Sequence, residues 1–198
     1  MTWDDLGRDA SRENQKSREK WIGVYIGILA VMLALCGMGG GNSTKDSTLK
    51  NIEASNTWGF FQAKNIRRSE IRLQADQLGL MLEANPTMPV DAKKLVQAKI
   101  DEYRALDAKL TTDPDKKEGL DELFARAKAL EADRDVALRK DPYFDWSQAL
   151  LQIAIVLASV HLIIGNIWLL GLSGGLGAFG VLLMLNGFTL AVRLPFVG

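Results

Sequence analysis

The side chains most often used for covalent or metal chemistry are scarce in this 198-residue sequence, which holds one histidine, His161, and one cysteine, Cys36. Both lie in or beside long apolar runs, so the chain cannot assemble a Cys–His dyad or a histidine-based zinc site by itself. Carboxylates occur as neighbours, for example Asp121 and Glu122, but on charge-balanced segments they are expected to be solvated helix faces. The sequence therefore predicts no catalytic residue, no metal site and no enzyme activity.

His161 is the one candidate cofactor ligand, because a histidine inside or at the rim of a membrane span can bind haem or chlorophyll, or carry protons. No second axial ligand or attachment motif accompanies it, so we expect it to mark the end of a span and we predict no cofactor. Gln152, Asn166 and Asn186 are interpreted as interhelical hydrogen-bonding groups, because the apolar runs contain no acidic residue and no interior lysine or arginine that would build an ion path.

Three apolar runs of about 18 residues or more are long enough to cross the hydrocarbon core of a membrane. The first is interpreted as an uncleaved signal anchor rather than a cleaved signal peptide. The third is either tilted or interrupted by a loop around residues 171–177. The predicted segments are an N-terminal amphiphilic leader (1–20), a first span (21–38), a Gly-rich linker (39–46), an extramembrane helical domain (47–142), a second span (145–164), a third span (167–192) and a C-terminal tail (193–198).

The extramembrane domain is predicted to be helical, because its apolar residues recur at helical spacing. Its first helix is expected over residues 47–84 and its second over residues 90–110, separated by the two prolines of NPTMP. The third is expected to start with Asp113 as its N-cap and to run to Lys140. The predicted fold class is thus an all-α integral membrane protein with three transmembrane helices and a coiled-coil-like insert between the first and second.

The first helix of this domain carries two apolar stripes on opposite sides. One is expected to pack on the chain's own helices; it comprises Trp58, Phe61, Ile66, Leu73 and Leu80. The other is expected to meet a partner; it comprises Leu49, Phe60, Ile71, Leu78 and Leu82. An alternative lays the helix flat on a membrane, with neighbouring basic side chains on anionic headgroups. We favour packing on both sides, because a helix that floats on lipid needs only one apolar face.

Small and aromatic residues mark two further candidate surfaces. Small residues four positions apart allow membrane helices to pack closely. This spacing is found at Gly23 and Gly27, at Gly171 and Gly175, and at Ser173 and Gly177. Aromatic residues at the ends of the spans fit a belt that faces lipid at the membrane interface. They are Trp21, Tyr143, Phe144 and Trp146.

The distribution of basic residues predicts the orientation of the chain. Arg8, Arg12, Lys16, Arg18 and Lys20 precede the first span and favour a cytoplasmic N-terminus. Basic residues just before the second span favour the opposite orientation. Because a segment of about 100 residues can cross a membrane largely regardless of its charge, the N-terminal flank is given more weight. The helical domain is thus expected outside the cytoplasm.

Three stretches of the sequence carry a resemblance to a known family: NIEASNTWGFFQAKNIR, LEADRDVALRKDPYFD and LLQIAIVLASV. In this order they resemble an uncharacterised bacterial membrane-protein family, the domain of unknown function numbered four-three-three-seven, over almost the whole chain. The most specific match comprises Asn51, Glu53, Ala54, Ser55, Asn56, Trp58, Gln62, Ala63 and Lys64, with Ile52 inserted relative to the family pattern. The resemblance implies a small bacterial inner-membrane protein with a helical insert after the first span, and it implies no activity.

The loop between the last two spans is often basic in that family, which would place it in the cytoplasm. Here the corresponding stretch is HLIIGNIW, without lysine or arginine. The predicted orientation in the inner (cytoplasmic) membrane therefore rests on the N-terminal charges alone.

These features predict a non-enzymatic, multi-pass membrane scaffold or accessory subunit. Its expected partners are further copies of the chain or the subunits of a larger membrane-protein complex, together with membrane lipid. The 24 basic and 24 acidic residues balance, so no overall attraction for nucleic acid is expected. Two alternatives are an oligomeric channel or transporter component, and a pigment- or haem-binding subunit that uses His161.

Overall fold

Four α-helices make up the part of the chain that the structure, a computed structural model, describes: the backbone of residues 3–193 and the side chains of residues 17–193. They are α1 (Trp3–Ala84), α2 (Val90–Thr111), α3 (Leu120–Ile164) and α4 (Ile167–Thr189). No strand occurs among these residues. Helices α1, α3 and α4 each contain a segment long and apolar enough to cross a membrane. The prediction of an all-α chain with three such segments is confirmed.

Helices α1 and α3 each contribute to two compact units. The first, called the apolar unit, comprises residues 1–47 and 135–198 and contains α4. The second, called the charged unit, comprises residues 48–134 and contains α2. Each unit therefore packs three helical segments, because α1 and α3 supply one segment to each.

Helix α1 is continuous where the sequence predicts a Gly-rich linker over residues 39–46. Glycine in a helix costs about 1 kcal/mol relative to alanine, but close packing explains its use here. A Cβ atom on Gly39 would lie 2.5 Å from Cε1 of Phe144, so only glycine fits beside this ring. The separate helix predicted after the linker is the continuation of α1. It ends at Ala84 as predicted, because Pro86 cannot continue the helical hydrogen bonds.

Helix α3 begins later than predicted, at Leu120. Asp113, the predicted N-cap, instead closes a turn between α2 and α3. Its carbonyl oxygen accepts a hydrogen bond from the Lys117 amide at 2.8 Å, and its carboxylate accepts from the Lys116 amide at 3.3 Å. The side chain that the sequence assigns to a helix cap therefore shapes the preceding loop.

Helix α3 also continues beyond its predicted end at Lys140, through Pro142 and into the predicted second span. Proline removes one helical hydrogen-bond donor. Contacts within the apolar unit hold the chain on either side of it: the Asp141 carboxylate accepts from the Thr44 hydroxyl at 2.9 Å, and Phe144 is buried. Two elements that the sequence predicts as separate are thus one helix.

A short turn connects α3 to α4. Gly165 adopts a left-handed φ of +73°, and the Asn166 side chain caps α4 by accepting from the Trp168 amide at 3.1 Å. The His161 ring donates from Nδ1 to the Asn166 carbonyl at 2.7 Å, since a carbonyl oxygen can only accept. Helix α4 then runs unbroken through residues 171–177, so the alternative of a loop there is wrong.

One heptad register describes the buried face of α1 over residues 22–82. Two positions of every heptad are buried or half-buried, and we call these two columns the seam. The first column comprises Ile22, Leu29, Cys36, Ser43, Lys50, Thr57, Lys64, Ile71 and Leu78. The second comprises Ile26, Leu33, Gly40, Ser47, Ala54, Phe61, Arg68, Ala75 and Leu82. A spacing of 3.5 residues is that of helices packed as in coiled coils.

The core of the apolar unit includes Phe144, which is 1% exposed. The other buried members of the cluster are Leu29, Cys36, Leu151, Ala154 and Met184. Tyr143 is also buried, and its hydroxyl donates to the Val192 carbonyl at 3.2 Å. The placement of Tyr143 and Phe144 on a lipid-facing belt is therefore wrong. An aromatic ring is buried here because Gly39 and Gly187 leave room for the ring of Phe144.

Hydroxyl groups also join the helices of the apolar unit. The Ser173 hydroxyl donates to the Ala154 carbonyl at 2.6 Å and lies 3.2 Å from the Tyr25 hydroxyl. The Ser147 hydroxyl donates to the Gly180 carbonyl at 2.7 Å. These bonds connect α3 and α4 and satisfy the buried hydroxyl groups of Ser147 and Ser173.

The charged unit has an aromatic cluster beside its aliphatic core. The ring of Trp58 meets Phe61 at 5.4 Å and Phe124 at 5.5 Å between centroids, both edge to face. Its indole Nε1 donates to the Glu131 carboxylate at 2.8 Å. The buried core residues are Ala54, Ile100, Leu120, Leu123, Ala127 and Leu130. Trp58 and Phe61 thus pack against the chain's own helices, as predicted.

Ion pairs join α1 to α2 in the charged unit. Asp107 of α2 accepts from Arg72 at 2.7 Å and from Arg68 at 2.9 Å. Hydrogen bonds from Arg72 and Arg68 hold the pKa of Asp107 below its ordinary value, against the opposing effect of its partial burial. The carboxylate is consequently ionised at neutral pH and binds two positions of the long helix to its neighbour.

Candidate interaction surfaces

A column of large apolar side chains lies exposed on α1 within the charged unit. It comprises Ile52, Ile66, Leu73 and Leu80, whose exposed fractions are 50%, 61%, 58% and 65%. These residues repeat at intervals of seven, with Gly59 at the intervening position. We call them the outer column. Isolated exposed apolar residues are common on proteins, but four in one heptad register form a stripe, which is interrupted at Gly59.

The outer column corrects the predicted division of the two stripes. Ile66, Leu73 and Leu80 are predicted to face the chain's own helices, yet they are exposed. Ile71, Leu78 and Leu82 are predicted to meet a partner, yet they are half-buried on the seam.

The physical reason is that polar residues occupy part of the seam. Lys64 and Arg68 fill seam positions because their charges are paired with Glu118 and Asp107, so a projection of apolar residues alone misses this face. The seam also follows a 3.5-residue period, which drifts by about 20° per heptad relative to a straight helix.

Two other predicted partner-facing residues, Leu49 and Phe60, are exposed. Leu49 lies one helical turn before Ile52 and extends the outer column toward the N-terminus. Phe60 lies on a different side of α1, where the Lys64 ammonium sits 5.1 Å from the centre of its ring. Phe60 is therefore not part of the outer column.

The glycines predicted to mediate helix packing divide into two groups. Gly23, Gly27, Gly171 and Gly175 have open space around them, because a Cβ atom at any of them would meet nothing within 4 Å. The close contacts within the apolar unit are made instead by Gly39, Gly177, Gly180 and Gly187. Three of these lie in one heptad register of α4 with Ser173 and Met184, a pattern that was available in the sequence.

The polar candidates of the spans have specific partners. Asn166 caps the start of α4, and Asn186 closes its end by bonding the Val192 amide at 2.9 Å and the Val192 carbonyl at 2.8 Å. Gln152 is exposed on α3. His161 is 5% exposed and bonded to the turn that follows α3, so its observed contact is a structural one. Among the described residues, no three His, Cys, Asp or Glu side chains are grouped to hold a metal ion.

Trp21 and Trp146, the other two residues of the predicted aromatic belt, are exposed at 72% and 56%. Their exposure is compatible with a lipid-facing position, which stays a prediction. The basic leader residues Arg8, Arg12 and Lys16 lie outside the residues whose side chains are described.

Comparison with known proteins identifies the family of the chain. No curated protein and no solved structure matches the chain. A family model described as "Domain of unknown function (DUF4337)" matches residues 18–190, which include most of α1 and the whole of α2, α3 and α4. This match confirms the resemblance drawn from the sequence motifs. The chain therefore belongs to the uncharacterised family DUF4337.

Proposed function

We propose that this protein is a non-enzymatic membrane scaffold that assembles with further copies of itself through the outer column of α1. The observation that carries the proposal is the heptad-spaced exposure of Ile52, Ile66, Leu73 and Leu80 along one side of α1. A second copy of the same column matches this spacing, as in parallel coiled coils. The open glycines Gly23, Gly27, Gly171 and Gly175 offer additional surfaces for helix association in lipid.

The proposal includes a membrane arrangement. The apolar segments of α1, α3 and α4 span a bacterial inner membrane, with the N-terminus in the cytoplasm and the charged unit outside it. Two copies inserted in this way are parallel, so each residue of the outer column lies opposite its own equivalent. A reporter that is active only outside the cytoplasm, inserted between Thr112 and Gly119, should be active; stable but silent fusions would reverse the orientation.

Disulfide crosslinking tests the pairing in native membranes. We expect Leu73→Cys to form a disulfide-linked dimer, because parallel columns bring the two introduced sulfur atoms within bonding range. Gln74→Cys is the matched control, since residue 74 is exposed on the same turn but points about 100° away. Cys36 is fully buried and does not compete.

Light scattering in mild detergent provides the second measurement. Leu73→Glu with Ile66→Glu should reduce the mass to that of a monomer while helicity is unchanged, whereas Leu95→Glu, at an exposed site on α2, should leave the assembly intact. A monomeric wild type refutes self-assembly. If a different protein binds to the outer column, the chain is an accessory subunit instead. If the Leu73→Glu, Ile66→Glu variant loses only its binding to anionic vesicles, the helix lies on lipid.

A further inference from the structure

A cleft of about 390 Å³ opens in the charged unit between α1, the loop that joins α2 to α3, and the first turns of α3. Its apolar wall is formed by Phe60 of α1 and Leu123 of α3. Leu123 is almost fully buried, whereas 43% of Phe60 is exposed. A cleft of this size accommodates a small organic molecule.

The loop that forms one side of the cleft has a fixed shape. Lys117 adopts a left-handed φ of +54°, which is uncommon for a residue with a side chain. Its amide is bonded to the Asp113 carbonyl, and the next residue is held because the Lys64 ammonium donates to the Glu118 carbonyl. These bonds fix the backbone of Lys116 and Lys117 beside the cleft before any ligand arrives, so ligand binding has only their side chains to order.

The charges that line the cleft are unbalanced. Two carboxylates are present, but each already has a cation from outside the lining: Glu53 pairs with Lys50 at 3.6 Å and Glu118 pairs with Lys64 at 3.9 Å. Three cations, Lys116, Lys117 and Arg126, also line the cleft, and among the described residues none of their charged side-chain nitrogens lies within 4 Å of a carboxylate oxygen. The cleft thus presents three positive charges without ion pairs of their own, against two paired carboxylates, beside an aromatic ring.

We propose that this cleft binds an organic phosphate, with its anion held by Lys116, Lys117 and Arg126 and its apolar group against Phe60. Lysine ammonium groups and an arginine guanidinium bind phosphate oxygens through charge-assisted hydrogen bonds. The phosphate is that of a free phosphate ester or of a lipid headgroup, since both present the same chemistry. The site is separate from the outer column and does not depend on assembly of the chain.

The affinity of the cleft is measured by calorimetry of the full chain in a neutral detergent. Titration with phenyl phosphate to roughly 20 mM covers the millimolar dissociation constants expected for a small ligand. We expect binding that Lys117→Gln with Arg126→Gln weakens by about tenfold or more, because two charged hydrogen-bond donors are lost. The matched control is Lys94→Gln with Arg104→Gln, which removes the same charge from exposed positions of α2 and should change the affinity by less than about twofold. Thermal unfolding of each variant verifies that it is folded.

Inorganic phosphate distinguishes a built site from general attraction of anions. It should bind more weakly than phenyl phosphate, and Phe60→Ser should abolish that difference. The proposal is overturned if phenyl phosphate does not bind, if the control variant weakens binding equally, or if Phe60→Ser has no effect on the difference.

Reconstitution then identifies the source of the phosphate. If phosphatidylglycerol in nanodiscs competes with phenyl phosphate for the cleft, and phosphatidylcholine does not, the ligand is a lipid headgroup. Undiminished binding in both kinds of nanodisc supports the site with a free phosphate ester as its ligand.

Discussion

In the apolar unit the seam of α1 continues from Leu29 and Leu33 through the small residues Cys36, Gly40 and Ser43 beside Phe144, whereas in the charged unit the same two heptad positions hold Phe61, Lys64 and Arg68. Small residues here let the backbone of α1 lie close to the ring-bearing side chain of α3, since a Cβ atom on Gly40 would be 3.2 Å from Cβ of Phe144. In water, burial of a large side chain contributes directly to stability, and charged heads can remain at the edge of the contact. One heptad register thus supports two kinds of packing along a single helix.

The comparison also separates the polar contacts of the two units. In the apolar unit, hydroxyl groups such as Ser147 and Ser173 bond backbone carbonyls of a neighbouring helix. In the charged unit, arginine and lysine side chains of α1 bond Asp107 and Glu118. The first arrangement carries no net charge into an apolar surrounding, whereas the second is suited to partial exposure to water.

The largest expected effect is that of a glycine substitution in the apolar unit. Gly39→Leu should lower the free energy of unfolding by about 3 kcal/mol or more, because its Cβ and branched methyl groups would collide with the buried ring of Phe144. Gly41→Leu, on the same turn of α1, should not destabilise the protein, because it faces open space. Thermal unfolding in detergent, followed by circular dichroism, measures both. Equal stability of the two variants would contradict close packing at Gly39.

A tryptophan substitution is expected to have a slightly smaller effect in the charged unit. Trp58→Ala should cost about 3 kcal/mol, the lower end for a buried tryptophan, because Trp58 is half-buried and loses two aromatic contacts and the bond to Glu131. The control is Trp21→Ala, at an exposed position, which should leave stability nearly unchanged. Urea unfolding of both variants, followed by circular dichroism, provides the test. A stable Trp58→Ala protein would show that the aromatic cluster contributes little to the fold.

The smallest expected effect is that of the Asp107 ion pairs and their response to pH. Asp107→Asn should cost about 1 kcal/mol at neutral pH, because it weakens two partly exposed pairs. Since the pKa of Asp107 is lowered in the folded state, its contribution is fully present above its ordinary pKa of about 4 and is lost as the pH falls through the lowered value. The stabilities of wild type and variant should thus begin to converge below about pH 4 and become equal only below the lowered pKa of Asp107. A difference that persists in acid would assign the effect to packing.

Much of the architecture is present in the sequence because it depends on local chemistry. Uncharged runs predict the three membrane-type segments, the prolines after Ala84 predict the end of α1, and helical spacing predicts α2 almost to the residue. The inward position of Trp58 and Phe61 is likewise predicted by their place on one helix face. Family membership follows from short motifs around the same residues.

Only the tertiary structure decided which surfaces are buried. The low helix propensities of glycine and proline predict a linker at residues 39–46 and a helix end before Pro142. Packing around Phe144 nevertheless keeps both segments helical. The division of α1 into a seam and an outer column depends on Asp107 and Glu118, which meet Arg68 and Lys64 from distant parts of the chain. A helical projection of the sequence gives the angle of each residue around the axis, but it does not show which residue of a neighbouring helix it contacts. Charged residues on the seam therefore look like solvated ones until the packing of the helices is known.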